Sequence, residues 1–164
     1  MKLYFVAVLA VLGCLAVSAC SETAGPRMNE GRSVNVTGSA SGQSATDQLN
    51  AIRAKAGRKP VERSPALDAA ARAHVEDLTA NGIYGHIGSN GSKPGERVTK
   101  AGYRWCTVAE NLGEGTLYNS ESKVITGWAN SPSHYRNIIK PQISAFGMAQ
   151  KGGIWVQVLA AKSC

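Results

Sequence analysis

The C-terminal segment places the strongest constraint on the fold. Ile154, Val156 and Val158 alternate with Trp155, Gln157 and Leu159, so a strand over 154–160 is apolar on both faces except at Gln157. Ala145 to Gln150 forms a second run, and Lys151-Gly152-Gly153 between the two supplies the turn of a hairpin. A strand that is apolar on both sides lies in the middle of a sheet and needs a layer above and a layer below. Helices earlier in the chain can supply that cover, which predicts a three-layer α/β/α sandwich.

The helical patterns precede the hairpin. Asp47 to Ala56 carries Leu49, Ile52 and Ala56 at helical spacing, with Thr46 as the expected cap and Gly57 as the stop. Residues 58–63 read as a connection containing Pro60. Ser64-Pro65 then opens a longer helix whose stripe is Leu67, Ala71, His74 and Leu78, and Asn81-Gly82 closes it. A histidine on such a stripe reads as a satisfied core residue. The glycines and serines of 83–94 require a loop, and a short helix follows over 94–101 with Val98 and Ala101 inward. Residues 103–112 read as a strand. Two further helices are expected over 121–130, with Val124, Ile125 and Trp128 on one face, and from Ser131-Pro132 through Ile139.

The N-terminus has a different character. Met1-Lys2, an apolar run from Leu3 to Val17 and the small residues Ser18-Ala19 form a secretory signal over 1–19. It is too short to be read as a membrane span. Val17-Ser18-Ala19-Cys20 resembles the bacterial lipobox, which makes Cys20 the expected lipidation site, ahead of Cys14 and ahead of plain secretion. Residues 20–45 are rich in Ser, Gly, Thr and Asn and read as a flexible tether, leaving 46–164 for one domain with one core. Apart from Cys20, the exported chain keeps Cys106 and Cys164. An even count in an oxidising compartment favours a disulfide over two free thiols.

The chain has 18 Lys and Arg against 11 Asp and Glu; loss of Lys2 leaves 17 against 11. The basic residues are dispersed, with no aromatic-interleaved stripe, and together with the export signal this argues against a nucleic-acid partner. A modest positive field suits anionic envelope polymers and lipid head groups, but an ordinary solvated surface is the favoured reading.

Three polar residues stand out in separate motifs. His86 lies in Gly85-His86-Ile87-Gly88-Ser89-Asn90-Gly91-Ser92, Glu110 in Ala109-Glu110-Asn111-Leu112, and His134 in Ser131-Pro132-Ser133-His134-Tyr135-Arg136-Asn137-Ile138. With Gly102-Tyr103, Trp128 and the later Phe146-Gly147-Met148-Ala149, these motifs resemble, in order and spacing, the CAP superfamily of cysteine-rich secretory, antigen 5 and pathogenesis-related 1 proteins. The likeness is to its short bacterial branch and covers about 46–164. It implies an α+β, three-layer α/β/α sandwich with a small, mostly antiparallel central sheet and a cleft lined by two histidines and two acids. His86, Glu110 and His134 match three of these positions, and Glu96 in Pro94-Gly95-Glu96-Arg97 is the candidate for the fourth. Ser133 replaces the usual glycine before the histidine, and Asn90 the usual aspartate.

Such a cluster has three chemical readings. His86 and His134 could hold a divalent cation, zinc or magnesium, with Glu110 as ligand or water holder. His86, Glu110 and His134 could form a catalytic acid/base site, which lacks a nucleophile motif and would need a metal-bound water. Alternatively, Glu110 accepts hydrogen bonds from the histidines and the cluster shapes a binding cleft. The last reading is favoured: a membrane-anchored or secreted cell-envelope protein that binds peptidoglycan, lipid or a protein partner. A metal-dependent hydrolase acting on peptidoglycan or protein is the alternative. Trp105 and Trp155 are candidates to line a groove, although burial by the period of two explains them equally well, and Asn111 is expected to bond backbone groups in its turn.

Overall fold

The computed structural model describes residues 44–164. The expected signal over 1–19, the lipidation site Cys20 and nearly all of the tether over 20–45 lie outside the described residues. The elements follow the order α1 (Ala45–Lys55), β1 (Glu62–Arg63), α2 (Pro65–Asn81), α3 (Pro94–Lys100), β2 (Thr107–Glu114), α4 (Glu121–Ala129), α5 (Pro132–Ile138), β3 (Ala145–Lys151) and β4 (Ile154–Ala161).

β4 occupies the interior of the sheet, as its two apolar faces demand. The strand order is β1-β3-β4-β2, and all eight residues of β4 are buried. Its pairings with β2 and β3 are antiparallel, while β1 runs parallel to β3. β1 falls within the segment read as a connection, because two residues are too few to show a period. The pleat sends Ile154, Val156, Val158 and Ala160 into a core with Leu67, Ala71, Val75 and Leu78 of α2 and Val98 of α3. It sends Trp155 and Leu159 into a second core with Leu49 of α1, Val124, Ile125 and Trp128 of α4 and Ile138 of α5. This is the three-layer sandwich. Trp155 is a core residue, with its Nε1 donating to Tyr118 O at 2.6 Å.

Gln157, the polar exception, is fully buried and satisfied by its cross-strand neighbours. Its Oε1 accepts from Asn111 Nδ2 at 2.9 Å, and its Nε2 lies 3.9 Å from Met148 Sδ.

α1 begins at Ala45, two residues before the expected start, and its cap is Ser44 rather than Thr46. Ser44 Oγ accepts from Asp47 N at 3.2 Å, which satisfies one of the helix's free N–H groups. α2 ends on Gly82 in the left-handed region (φ 60°), as Asn81-Gly82 predicts. The N-terminal turn of α2 lies directly on β3: a Cβ on Gly147 would stand 2.1 Å from Asp68 N. Asp68 Oδ1 also accepts from Met148 N at 2.8 Å, filling the ladder position that the short β1 leaves open. Cys106 and Cys164 form the expected disulfide, with Cα atoms 6.0 Å apart.

Candidate functional site

The pleat of β2 places consecutive residues of Ala109-Glu110-Asn111 on opposite faces of the sheet. Glu110 shares a face with Leu112 and points into the α2/α3 layer, while Asn111 points into the α5 layer. Glu110 and His134 therefore approach the edge strand from different layers. This overturns the expectation that Glu110 accepts from both histidines.

Glu110 is buried, with its side chain 1% exposed. Its Oε1 accepts from His86 Nδ1 at 2.8 Å, and its Oε2 accepts from Arg97 Nη2 at 2.8 Å. Arg97 is the residue that sequence reasoning missed. It lies beside Val98 on the inward face of α3, and that face is the signal that could have found it. The same guanidinium holds the loop: Nη2 donates to His86 O at 3.0 Å and Nη1 to Ser92 O at 2.7 Å. A buried carboxylate and a guanidinium thus compensate each other and fix the backbone that presents His86.

Glu96, the candidate for the fourth cleft position, does not join the cluster. It is the N3 residue of α3, and its Oε2 turns back to accept from Lys93 N at 2.9 Å, half of a capping box. It is exposed, and it lines a separate hollow of about 340 Å³ between α2 and α3 with Ala69, Ala73, Asp77 and Lys100.

His74 is the second missed member. It is fully buried on the α2 stripe, as expected, but only partly satisfied. Its Nε2 donates to Gly85 O at 2.9 Å and lies 3.7 Å from Glu110 Oε1, while its Nδ1 has no partner. Burial lowers its pKa, outweighing the attraction of Glu110, so the neutral ring is favoured. Asp77, one turn further along α2, pins the far side of the loop by accepting from Ser89 N at 2.8 Å and from the Ser89 hydroxyl. The Ser89 hydroxyl and amide hold its carboxyl below the usual range.

His86 itself is accessible, with 54% of its side chain exposed. The Glu110 hydrogen bond raises its pKa against a smaller opposing cost of burial. The carboxylate fixes the proton on Nδ1, leaving Nε2 as the uncommitted nitrogen. His134 sits half-buried on α5 and is held through its backbone, where its carbonyl accepts from Asn111 Nδ2 at 3.3 Å. Its pKa is lowered by burial and then by the charge of His86. Asn111 lies within β2 rather than in a turn, and its Oδ1 also accepts from Asn137 Nδ2 at 2.8 Å.

His86, Pro94, Gly95, Trp105, Val108, Ala109 and Glu110 line an open cleft of about 360 Å³. Trp105 forms one wall. It is 41% exposed and anchored by Nε1 donating to Gly95 O and Thr99 Oγ1, at 3.1 and 2.9 Å.

The donor set does not suit a divalent cation centred on Glu110. Both carboxylate oxygens already accept from donors that are or can be cationic, and the described residues bring together no group of three His, Cys, Asp or Glu able to hold a metal ion. The chemistry available is that of an exposed imidazole with a fixed tautomer, an indole wall and a strand edge.

Comparison with known proteins agrees with this fold. A family model described as the cysteine-rich secretory protein family (CAP) matches residues 46–156. The uncharacterised protein YkwD of Bacillus subtilis (strain 168) is 29% identical over 115 residues, covering 69% of this chain and 44% of YkwD. The chain thus spans less than half the length of that relative. An extracellular SCP-domain protein from Bacillus anthracis superposes with a TM-score of 0.67 at 19% identity, over 72% of this chain and 39% of that one. An outer surface protein of Borrelia burgdorferi gives 0.62 at 21%, over 71% of this chain and 88% of that one. A cysteine-rich secretory protein of Staphylococcus aureus gives 0.59 at 18%, over 72% and 37%. At these identities the structural likeness speaks to the sandwich alone.

Proposed function

The chain belongs to the cysteine-rich secretory protein (CAP) family, and on that premise we propose a binding module of the bacterial cell envelope, exported and held there by acyl chains on Cys20. An extracellular and an outer-surface protein among its structural relatives support export, as does the apolar leader over 3–17. No helix among the described residues is long and apolar enough to cross a membrane. An acyl chain contributes about 0.8 kcal/mol per buried methylene, and stable anchoring takes more than one chain.

The observation that carries the binding reading is the commitment of Glu110. A general base needs a carboxylate oxygen or an imidazole nitrogen within reach of a nucleophile. Glu110 spends both oxygens on Arg97 and His86, which leaves it no free oxygen to act as a base itself. Glu110 acts as a positioning residue that orients His86 toward a ligand in the cleft beside Trp105.

Cosedimentation of the mature chain with purified envelope fractions, peptidoglycan sacculi and lipid vesicles kept separate, tests this reading. The expected result is retention on one fraction, lost in His86→Ala and Trp105→Ala, with no soluble fragments released. Release of fragments by the wild type, abolished by His86→Ala, would establish the hydrolase instead. An exported form without acyl mass on Cys20 would remove the anchor.

A further inference from the structure

Acidic residues are unevenly placed along the chain. Residues 48–61 and 122–164 hold no Asp or Glu. The first stretch carries Lys55, Arg58 and Lys59, and the second carries Arg136 and Lys140 among its cations. The fold brings these parts of the two stretches together where α1 and α5 end. Buried Arg53 clamps them. Its Nε donates to Lys59 O at 2.8 Å, its Nη1 to Ile138 O at 2.6 Å and Lys140 O at 3.2 Å, and its Nη2 to Ile143 O at 2.8 Å. Arg58 reaches across the same seam, with Nε donating to Ile139 O at 3.0 Å. Cations that are dispersed in the sequence are neighbours in space.

No carboxylate neutralises this end. Among the described residues, the ion pairs join Arg63 to Asp68 and Glu121, and Arg97 and two histidines to Glu110; none involves Arg53 or the five cations around it. Arg53 is satisfied by carbonyls alone, so its buried charge adds to the field of the others. Lys55, Lys59 and Arg136 are exposed, and Arg58 and Lys140 are half-buried. Asp47 lies about two turns back along α1, and Glu62 lies beyond Pro60 on β1. The other helical layer is mixed in sign: Asp77, Glu96 and Lys100 share one hollow between α2 and α3.

The chain that precedes α1 distinguishes among anionic partners. Residues 20–44 join the acylation site Cys20 to the start of α1, and at full extension they reach on the order of 80 Å. α1 is eleven residues long, about 16 Å, so its cationic end lies well within that reach of a bilayer holding the acyl chains. A tethered domain meets that surface at high effective concentration, an advantage that a free wall polymer lacks. Anionic head groups attract lysine and arginine within about 8–10 Å at moderate salt.

We propose that the acid-free end of α1 and α5, centred on Lys59 and Lys140, docks on the anionic lipid head groups of the bilayer that anchors the chain. This contact is separate from the cleft, since none of these residues lines it. Each cation near such a surface strengthens partition about fivefold, so the contact is weak in solution and the anchor sustains it. The inference rests on the anchored reading above, but the surface can be tested without the anchor.

The probe is the mature chain with Cys20→Ser, which carries no acyl group, titrated with vesicles of two parts phosphatidylcholine to one part phosphatidylglycerol. Partition at millimolar lipid is expected, with little on phosphatidylcholine alone and little in half-molar salt. Nitroxide-labelled lipid should broaden amide signals around Lys59, Arg136 and Lys140. Lys59→Glu/Lys140→Glu is expected to weaken partition about tenfold or more. The two lysines touch Arg53 only through their carbonyls, so the fold should stand. Lys100→Glu/Lys151→Glu makes the same change in net charge elsewhere and should cost threefold at most. Should the first pair fail to fold, the salt dependence and the nitroxide map decide. Equal losses in the two pairs, broadening centred on another face, partition that survives half-molar salt or no partition at all would overturn the proposal. So would poly(glycerol phosphate) binding at Lys59 and Lys140 when vesicles do not. Envelope retention that His86→Ala abolishes, beside vesicle partition indifferent to Lys59→Glu/Lys140→Glu, would sink this surface and spare the cleft. Absence of acyl mass on Cys20 would remove the anchor while the vesicle titration still judges the surface.

Discussion

Arg97 and Glu110 form a buried ion pair at 2.8 Å, and the arginine also holds the carbonyls of His86 and Ser92. The pair thus joins β2, α3 and the loop over 83–93. Removing one partner strands a charge in the core, which typically costs about 3–5 kcal/mol. Arg97→Met is expected to lower urea-unfolding stability by about that much and to expose the loop to protease. The double variant Arg97→Met/Glu110→Leu should recover much of the stability while leaving His86 unanchored. Equal losses in the single and double variants would show that the loop carbonyls, and not the carboxylate, need the arginine.

The three histidines should separate in an NMR titration. His86 is raised by the Glu110 hydrogen bond, His74 is lowered by burial, and His134 is lowered by burial and the His86 charge. His86 is therefore expected to titrate above the ordinary histidine value of about 6.5, and the other two below it. The signs on stability oppose. His86 contributes fully below about pH 6.5 and its contribution fades as pH rises through its folded pKa. His74 subtracts stability as pH falls below about 6.5, because the unfolded chain takes up the proton that the folded chain refuses. The stability lost in His86→Gln should accordingly be larger at acidic pH than at alkaline pH. A pH-independent loss would break the link to Glu110.

Two glycines make contrasting demands. A Cβ on Gly147 would meet the backbone of Leu67 and Asp68 at 2.1 Å, where neither α2 nor β3 can give way. Gly147→Ala is expected to cost about 3 kcal/mol or more, or to prevent folding. A Cβ on Gly95 would meet the Trp105 ring at 2.5 Å, a side chain that can swing out. Gly95→Ala should cost less, about 1–2 kcal/mol, since the swing gives up the Trp105 bonds to Gly95 O and Thr99 Oγ1. It should also red-shift the indole fluorescence and reduce envelope binding. Comparable stability losses for both would mean that Trp105 is a structural member of the core.

The sequence showed apolar periodicity well, and the layers follow from it. β4 announced its central place through Ile154 to Ala160, and α2 its buried stripe. The polar contacts did not register in the same way. Arg53 is fully buried and donates to the carbonyls of Lys59, Ile138, Lys140 and Ile143, yet in the sequence it is one of several dispersed cations. Its partners are backbone carbonyls, which carry no residue identity. The same holds for Arg97 at His86 O and for His74 at Gly85 O. Glu96 misled because an acid beside an arginine has two uses, and helix capping claimed it. The resemblance of His86, Glu110 and His134 to a family motif drew attention to the loop, strand and helix that carry them. Which faces of β2 they approach depended on the pleat of a strand whose start, Thr107, the residues did not mark.

The disulfide should be the largest covalent contribution to stability. Cys106 and Cys164 are separated by 58 residues, and closing a loop of that length lowers the entropy of the unfolded chain by an amount equivalent to about 4 kcal/mol. The bridge also ties the C-terminus to the segment that carries Trp105 and leads into β2. Reduction, or Cys106→Ser/Cys164→Ser, is expected to lower the urea midpoint in proportion. The register Thr107↔Ala161 should fray first, seen as faster amide exchange there than at Leu112↔Val156. Unchanged exchange at Thr107 and Ala161 after reduction would place the stabilisation wholly in the unfolded state. Alkylation of both thiols in the native protein without reductant would remove the bridge itself.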